Sequence, residues 1–134
     1  MNVVTTLDAW SPRILSLVRF VTGLLFIEHG TAKFFGIPYT PSFAKLQWLS
    51  MPGVAGLIEL IGGALLILGL WTRPVAFILS GEMAVAYWIA HAPGHWAPLV
   101  NRGELAALYC FIFFLFIFTG GGPYSMDALF NKKR

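Results

Sequence analysis

The chain reads as an all-α membrane protein, a bundle of four transmembrane helices, on three observations. It is 57% hydrophobic and only 11% charged, with a mean hydropathy of +0.74. Four apolar runs, Ile14 to Phe35, Val54 to Leu70, Val75 to Ala90 and Leu105 to Thr119, approach the roughly 20 residues that one hydrocarbon crossing takes. Ionisable residues that a bilayer should reject interrupt or border every run: Glu28 and His29 in the first, Glu59 in the second, Glu82 in the third and Glu104 at the head of the fourth. A soluble domain has no use for so much apolar surface, so residues 1–134 are expected to form a single polytopic domain.

Each helix carries its own punctuation. Ser11-Pro12 has the form of a cap followed by a first-turn proline and predicts the start of the first helix; Pro38 and Pro41 end it. The segment from Ser42 to Ser50 mixes Phe43, Leu46, Trp48 and Leu49 with polar residues and predicts a short interfacial helix, a depth that tryptophan favours. Pro52-Gly53 opens the second helix, in which Gly56, Glu59 and Gly63 share one face. Small residues flanking a carboxylate permit close helix approach. Trp71-Thr72-Arg73-Pro74 predicts a tight turn into the third helix, which ends near His91 ahead of Pro93-Gly94. Gly103-Glu104 starts the fourth, where Glu104 favours the positive end of the helix dipole. Phe111, Phe113, Phe114, Phe116 and Phe118 are spread all round that helix, a lipid and packing surface, before Gly120-Gly121-Gly122-Pro123 stops it.

A pI near 9.3 invites a nucleic-acid reading, but the nine Lys and Arg residues form no stripe with interleaved aromatics, and no nucleic-acid partner is expected. Their placement fits topology. Arg13, Arg73, Lys132, Lys133 and Arg134 share one side; Lys33, Lys45 and Arg102 share the other, with Arg19 inside the first helix. The positive-inside rule then puts both termini in the cytoplasm of a bacterial inner membrane. The first run is too long for a signal-peptide core and lacks a small-residue cleavage site, so it is expected to be retained. The single cysteine, Cys110, builds no disulfide framework or redox pair within the chain and reads as a buried, inert thiol.

Intramembrane ionisable groups mark function by default. With antiparallel helices, Glu28, His29 and Glu59 fall in the outer half of the bundle and Glu82 nearer its middle. Glu28, His29, Glu59 and Glu82 are therefore the expected catalytic pocket, with Arg19, Lys33, Asn101, Arg102 and Glu104 as ligand-binding groups. Arg19 and Glu28 lie about 180° apart on one helix, so both cannot face the bundle axis; Arg19 is expected to snorkel toward the cytoplasmic boundary and leave the interior to Glu28 and His29. The competing reading has the carboxylates paired with Arg19, Lys33 or Arg102 purely to fix helix register. His91 and His95 are separated by Pro93-Gly94, and a haem clamp between His29 and His91 has little else to support it, so no metal or haem site is expected.

Taken in order, the stretch from Arg19 to Gly30 with Lys33, Gly56-Leu57-Ile58-Glu59-Leu60-Ile61-Gly62-Gly63, the segment from Leu68 to Pro74, Asn101-Arg102-Gly103-Glu104 and the close from Gly120 to Asp127 resemble the DoxX family of small four-helix membrane proteins. The resemblance covers nearly the whole chain. It implies association with quinone-linked or thiol and sulfur redox complexes, and carries Arg19, Glu28, Lys33, Glu59, Arg73, Asn101 and Glu104 over as matching polar positions. The leading expectation is a membrane subunit that binds a quinone while a redox partner protein supplies the redox centre, since the chain holds no cofactor motif of its own. Two others stand beside it: a proton-coupled carrier of small solutes, which would need at least a homo-oligomer to alternate access, and a scaffold without chemistry.

Overall fold

The computed structural model describes residues 2–132. Lys133 and Arg134, counted above toward topology, lie outside the described residues. Helix α1, Val3–Phe35, runs for 33 residues and begins well before the expected Ser11-Pro12. Asn2 is the reason: its side chain accepts from the Thr5 N–H at 2.9 Å, and the hydroxyls of Thr5 and Thr6 donate back to its carbonyl. That cap satisfies the first free N–H groups of the helix, and Pro12 is accommodated inside at the loss of one backbone hydrogen bond.

The connection to the next helix corrects a second expectation. Instead of an interfacial helix over 42–50, there is one 3₁₀ turn, Pro41–Phe43, followed by turns that double back. A Cβ on Gly53 would lie 2.5 Å from the Gln47 carbonyl, so the chain folds against the first turn of α2, Met51–Leu68. Ser50 caps α2 by accepting from the Gly53 N–H. Helix α3, Thr72–Ala86, continues without a break into a π segment, Tyr87–His91. A single turn, α4, Pro98–Asn101, precedes α5, Glu104–Thr119, and a short α6, Met126–Asn131, follows. Neither α4 nor α6 is expected from the sequence pattern.

The four longer helices run antiparallel in sequence, with α1 packed most closely on α2 and α3 on α5. Glycines set the first of these contacts: a Cβ on Gly30 would sit 2.6 Å from Leu60 N, and one on Gly63 would sit 2.7 Å from the Ile27 Cβ. Backbones this close are the usual small-residue packing of membrane helices. Phe26 of α1 meets Phe113 and Tyr109 of α5 with ring centroids 4.8 and 5.2 Å apart, joining the two halves. The α5 phenylalanines divide accordingly, Phe113 and Phe116 fully buried, Phe111 and Phe118 facing outward. Helices α1 and α2 are long and apolar enough to cross a membrane by themselves, while α5 is apolar but shorter.

Arg19 does not snorkel. It is 2% exposed and ties three segments together: Nε donates to Gly121 O at 2.8 Å, Nη1 to Ile67 O at 2.8 Å and to Leu66 O, and Nη2 to Tyr124 O at 2.7 Å. The carbonyls at the end of α2 have no helical donors, and a rigid five-donor guanidinium can serve several at once. Gly69 makes room, combining a left-handed φ of 65° with a backbone on which a Cβ would lie 2.8 Å from the Arg19 Cζ. Two more charges repeat the device at this end of the bundle. Arg73 donates to Ile117 O and Phe118 O at the end of α5, and Asp127 accepts from Trp71 N and Thr72 N, both at 2.8 Å, at the start of α3.

Candidate functional site

The opposite end of the bundle holds the candidate site. Lys33 and His29 are one turn apart on α1 and Glu59 is buried on α2, and the Lys33 ammonium donates to both carboxylate oxygens, at 2.8 and 2.7 Å. The two side chains are 9% and 6% exposed. Gly56, one turn before Glu59, lets this happen, since a Cβ there would meet the Lys33 Cδ at 2.8 Å. Lys33 Nζ also stands 5.5 Å from the centroid of the Phe43 ring, a cation–π distance.

Around the pair lies a cavity of about 350 Å³, walled by apolar side chains that include Phe26, Phe43, Met83 and Leu105, with His29, Lys33, Glu59, His91, Arg102 and Tyr109 as its polar lining. Apolar walls with a few convergent polar groups are the usual form of a small-molecule site, and this volume is at the small end of the range. Tyr109 stands edge-on to His29, with ring centroids 6.2 Å apart, and stacks on Phe113. His91 comes from the π segment, with Nδ1 3.1 Å from Asn101 O; π turns inside helices recur at functional sites.

Several expected site residues are elsewhere. Glu28 is exposed: of the two opposed faces of α1, the bundle takes the one with Arg19, whose guanidinium finds backbone carbonyls to donate to, whereas the Glu28 carboxylate, an acceptor, would need buried donors. Arg19 itself sits at the far end, ten residues from His29 or about 15 Å along the helix. Asn101 organises its loop, donating to His95 O at 2.7 Å and to the Tyr87 hydroxyl while accepting from Gly103 N. Glu104 is exposed in the first turn of α5. His29, Lys33, Glu59 and Arg102 are brought together, and Glu82 is beside them without lining the cavity. Both Glu82 carboxyl oxygens are buried and unpartnered among the described residues, and the charged groups that act on it are Glu59 and Lys33.

Tyr109 is the lining residue that pattern reading passed over. Its signal was available: the one hydroxyl-bearing ring in a helix rich in aliphatic and phenylalanine side chains. Cys110, beside it, is half-buried, its carbonyl accepting from the Ser80 hydroxyl at 2.9 Å. Among the described residues no group of three or more His, Cys, Asp and Glu side chains could hold a metal ion. A larger cavity at the other end, about 800 Å³, has Arg73 and Asp127 in its lining, both already engaged with helix ends.

The profile of the DoxX family matches residues 14–92. An uncharacterized protein of Haemophilus influenzae is 44% identical over 131 residues, covering 95% of this chain and 98% of its own. A protein of Bacillus subtilis named putative oxidoreductase CatD is 41% identical over 120 residues, 88% of this chain and 87% of that one. The inner membrane protein YqjF of Escherichia coli is 28% identical over 123 residues, 87% and 92% of the two chains. No solved structure matches.

Proposed function

The chain belongs to the DoxX family of membrane proteins, and on that footing we propose that it is a four-span inner-membrane component of a redox system whose cavity binds a quinone for a partner protein. The observation that carries this reading is the small amphipathic cavity, with a buried ion pair on one wall and aromatic rings on the others. A quinone head is a flat apolar ring with two carbonyl acceptors. Phe26, Phe43 and Tyr109 offer ring faces and edges for it, and Arg102, Lys33, His29 and the Tyr109 hydroxyl are the donors at hand. Reduction of such a ring takes two electrons and two protons; the partner would supply the electrons, and His29 and Tyr109 are the cavity groups that can pass protons. The name of the Bacillus subtilis relative supports an oxidoreductase context.

Helix lengths support four crossings. Helix α3 and its π continuation add 15 and five residues, about 30 Å at 1.5 Å per residue, equal to a typical hydrocarbon core. Helix α5 has 16 residues and reaches the interfaces through its capping turns. Residues 1–134 then act as one unit. Arg13, Arg73 and Lys132 lie at the stapled end and Lys133 and Arg134 follow them in sequence, five basic residues against Lys33, Lys45 and Arg102 at the cavity end; this asymmetry supports cytoplasmic termini and a cavity that opens on the outer side. Reporter fusions at each terminus test this, and an external signal from either overturns it.

Glu82 favours a second reading, a proton-coupled carrier of a small solute. A buried, unpartnered carboxyl beside an ion pair is what proton relays in membranes are built from. Thermal-shift and binding titrations of the purified protein in lipid nanodiscs, with short-chain quinones against polar metabolites, separate the two. Saturable quinone binding lost in Arg102→Ala supports the first, and no quinone binding in the intact protein refutes it.

A further inference from the structure

Helix α1 carries an exposed stripe that none of the above uses. Leu7, Ile14, Val21 and Glu28 are seven apart, and Val3, Trp10, Leu17 and Leu24 fall between them in an unbroken 4-3 alternation; all eight are exposed. The bundle is built from the other side of the helix, where Ser16, Arg19, Thr22, Gly23 and Phe26 are buried. We propose that this outward face of α1 is a seam that pairs, in parallel, with the α1 of a second copy of this chain.

Lipid would cover any apolar face, but it does not reach the N-terminal end of this one. Thirty-three residues make about 50 Å of helix, roughly 20 Å more than the hydrocarbon core. Gly121 and Gly122 pack on α1 at Pro12 and Ser16, and Trp10 borders a cavity with Leu68 and Tyr124. Val3, Leu7 and Trp10 precede Pro12 and remain 74%, 64% and 54% exposed. At the other end the apolar run stops at Leu24, ahead of the exposed Glu28.

A second copy covers the projecting turns. A 3.5-residue period from Val3 to Leu24, about three heptads, is the pattern of a left-handed coiled coil. β-branched Ile14 and Val21 alternating with Leu17 and Leu24 is the assignment that favours two strands in parallel. Two copies in one membrane share their orientation, so a two-fold axis along the membrane normal pairs each layer with itself. The seven apolar residues of the stripe are 41% to 74% exposed, a continuous face left open by the bundle. The seam is independent of the cavity and of what it binds.

Single cysteines placed at Leu17, Val21 and Leu24 in a Cys110→Ala background, oxidised in native membranes, test the seam. Adducts of twice the chain mass should form at least fivefold faster there than at Val18 and Leu25, one step round the same helix, or at Ile78 on the outer face of α3. Equal rates at all six positions, a maximum at Ile78, or adducts of another mass overturn the proposal. Mass measurement of the intact chain in nanodiscs should find two copies, and Val3→Lys combined with Leu7→Lys, in the projecting turns, should weaken the dimer at least tenfold. A wild-type chain that stays single at micromolar concentration overturns it as well.

Discussion

Replacing Glu59 by leucine strips the Lys33 ammonium of both its acceptors, at 2.8 and 2.7 Å, and leaves it in a site where its side chain is only 9% exposed. Breaking a buried pair from one side costs about 3 to 5 kcal/mol, because the remaining charge is uncompensated. Glu59→Gln keeps the shape and one oxygen acceptor but gives up the charge and one of the two charge-assisted bonds, each worth about 1.5 to 3 kcal/mol, so its expected cost is about 2 to 3 kcal/mol. Lys33→Met with Glu59→Leu together removes both charges and should return to within about 1 to 2 kcal/mol of the parent, since apolar replacement of a whole buried pair is often neutral or stabilising. Equilibrium unfolding of the parent, Glu59→Leu, Lys33→Met and the double variant in mixed micelles, read by tryptophan fluorescence, gives the four values of the cycle. Quinone binding measured on the same four proteins separates structure from function: the double variant should be stable and empty. The reasoning fails if Glu59→Leu costs under about 1 kcal/mol, or if the double variant loses the sum of the two single losses.

Arg19→Lys should be nearly as damaging as Arg19→Met, at about 3 kcal/mol or more, because one ammonium cannot serve carbonyls from α2, Gly121 and Tyr124 together; full stability of the lysine variant in the same micelle titration would contradict this. Gly30→Ala pushes a methyl to within 2.6 Å of Leu60 N and should cost about 1 to 3 kcal/mol by forcing α1 from α2. Asp127→Asn retains an acceptor for the first turn of α3 but loses the charge, with an expected loss of about 0.5 to 1 kcal/mol, checked by the same titration. Cys110→Ala should leave quinone binding unchanged, and loss of binding in a folded variant would give the thiol a role.

The helices were legible because their signals are local. Prolines, glycines and apolar run lengths fix α2, α3 and α5 to within a few residues, and Glu104 stands in the first turn of α5 as its charge requires. The start of α1 was misread because two caps compete, and Asn2 with two threonines outweighs Ser11-Pro12. The inward face of α1 was a different kind of problem. Periodicity says that Arg19 and Glu28 oppose each other, but which one turns inward depends on the carbonyls waiting at the end of α2 and in the Gly120 to Tyr124 segment, neighbours distant in sequence. Lys33 with Glu59 and Gly56 was half visible, since the glycines around Glu59 announce a close helix. Tyr109 and His91 enter the site only through packing, one opposite Phe26 and the other carried inward by a π turn that no propensity marks.

The two ends of the bundle divide their labour by how backbone groups are satisfied. At the stapled end, Arg19, Arg73 and Asp127 each bind helix termini directly, so α2, α3 and α5 are fixed there by charge-assisted bonds that a shift of one helix would break together. At the cavity end the helices are joined by one ion pair and aromatic contacts, α3 loosens into a π turn, and a carboxyl at Glu82 keeps both oxygens without a partner among the described residues. A change in what occupies the cavity can therefore be absorbed locally, around His29, Lys33 and Glu82, without disturbing the far end. Charges in the interior are thus satisfied in two ways: Arg19 binds backbone and holds the frame, whereas Lys33 and Glu59 bind each other and Glu82 beside them keeps both oxygens without a partner among the described residues.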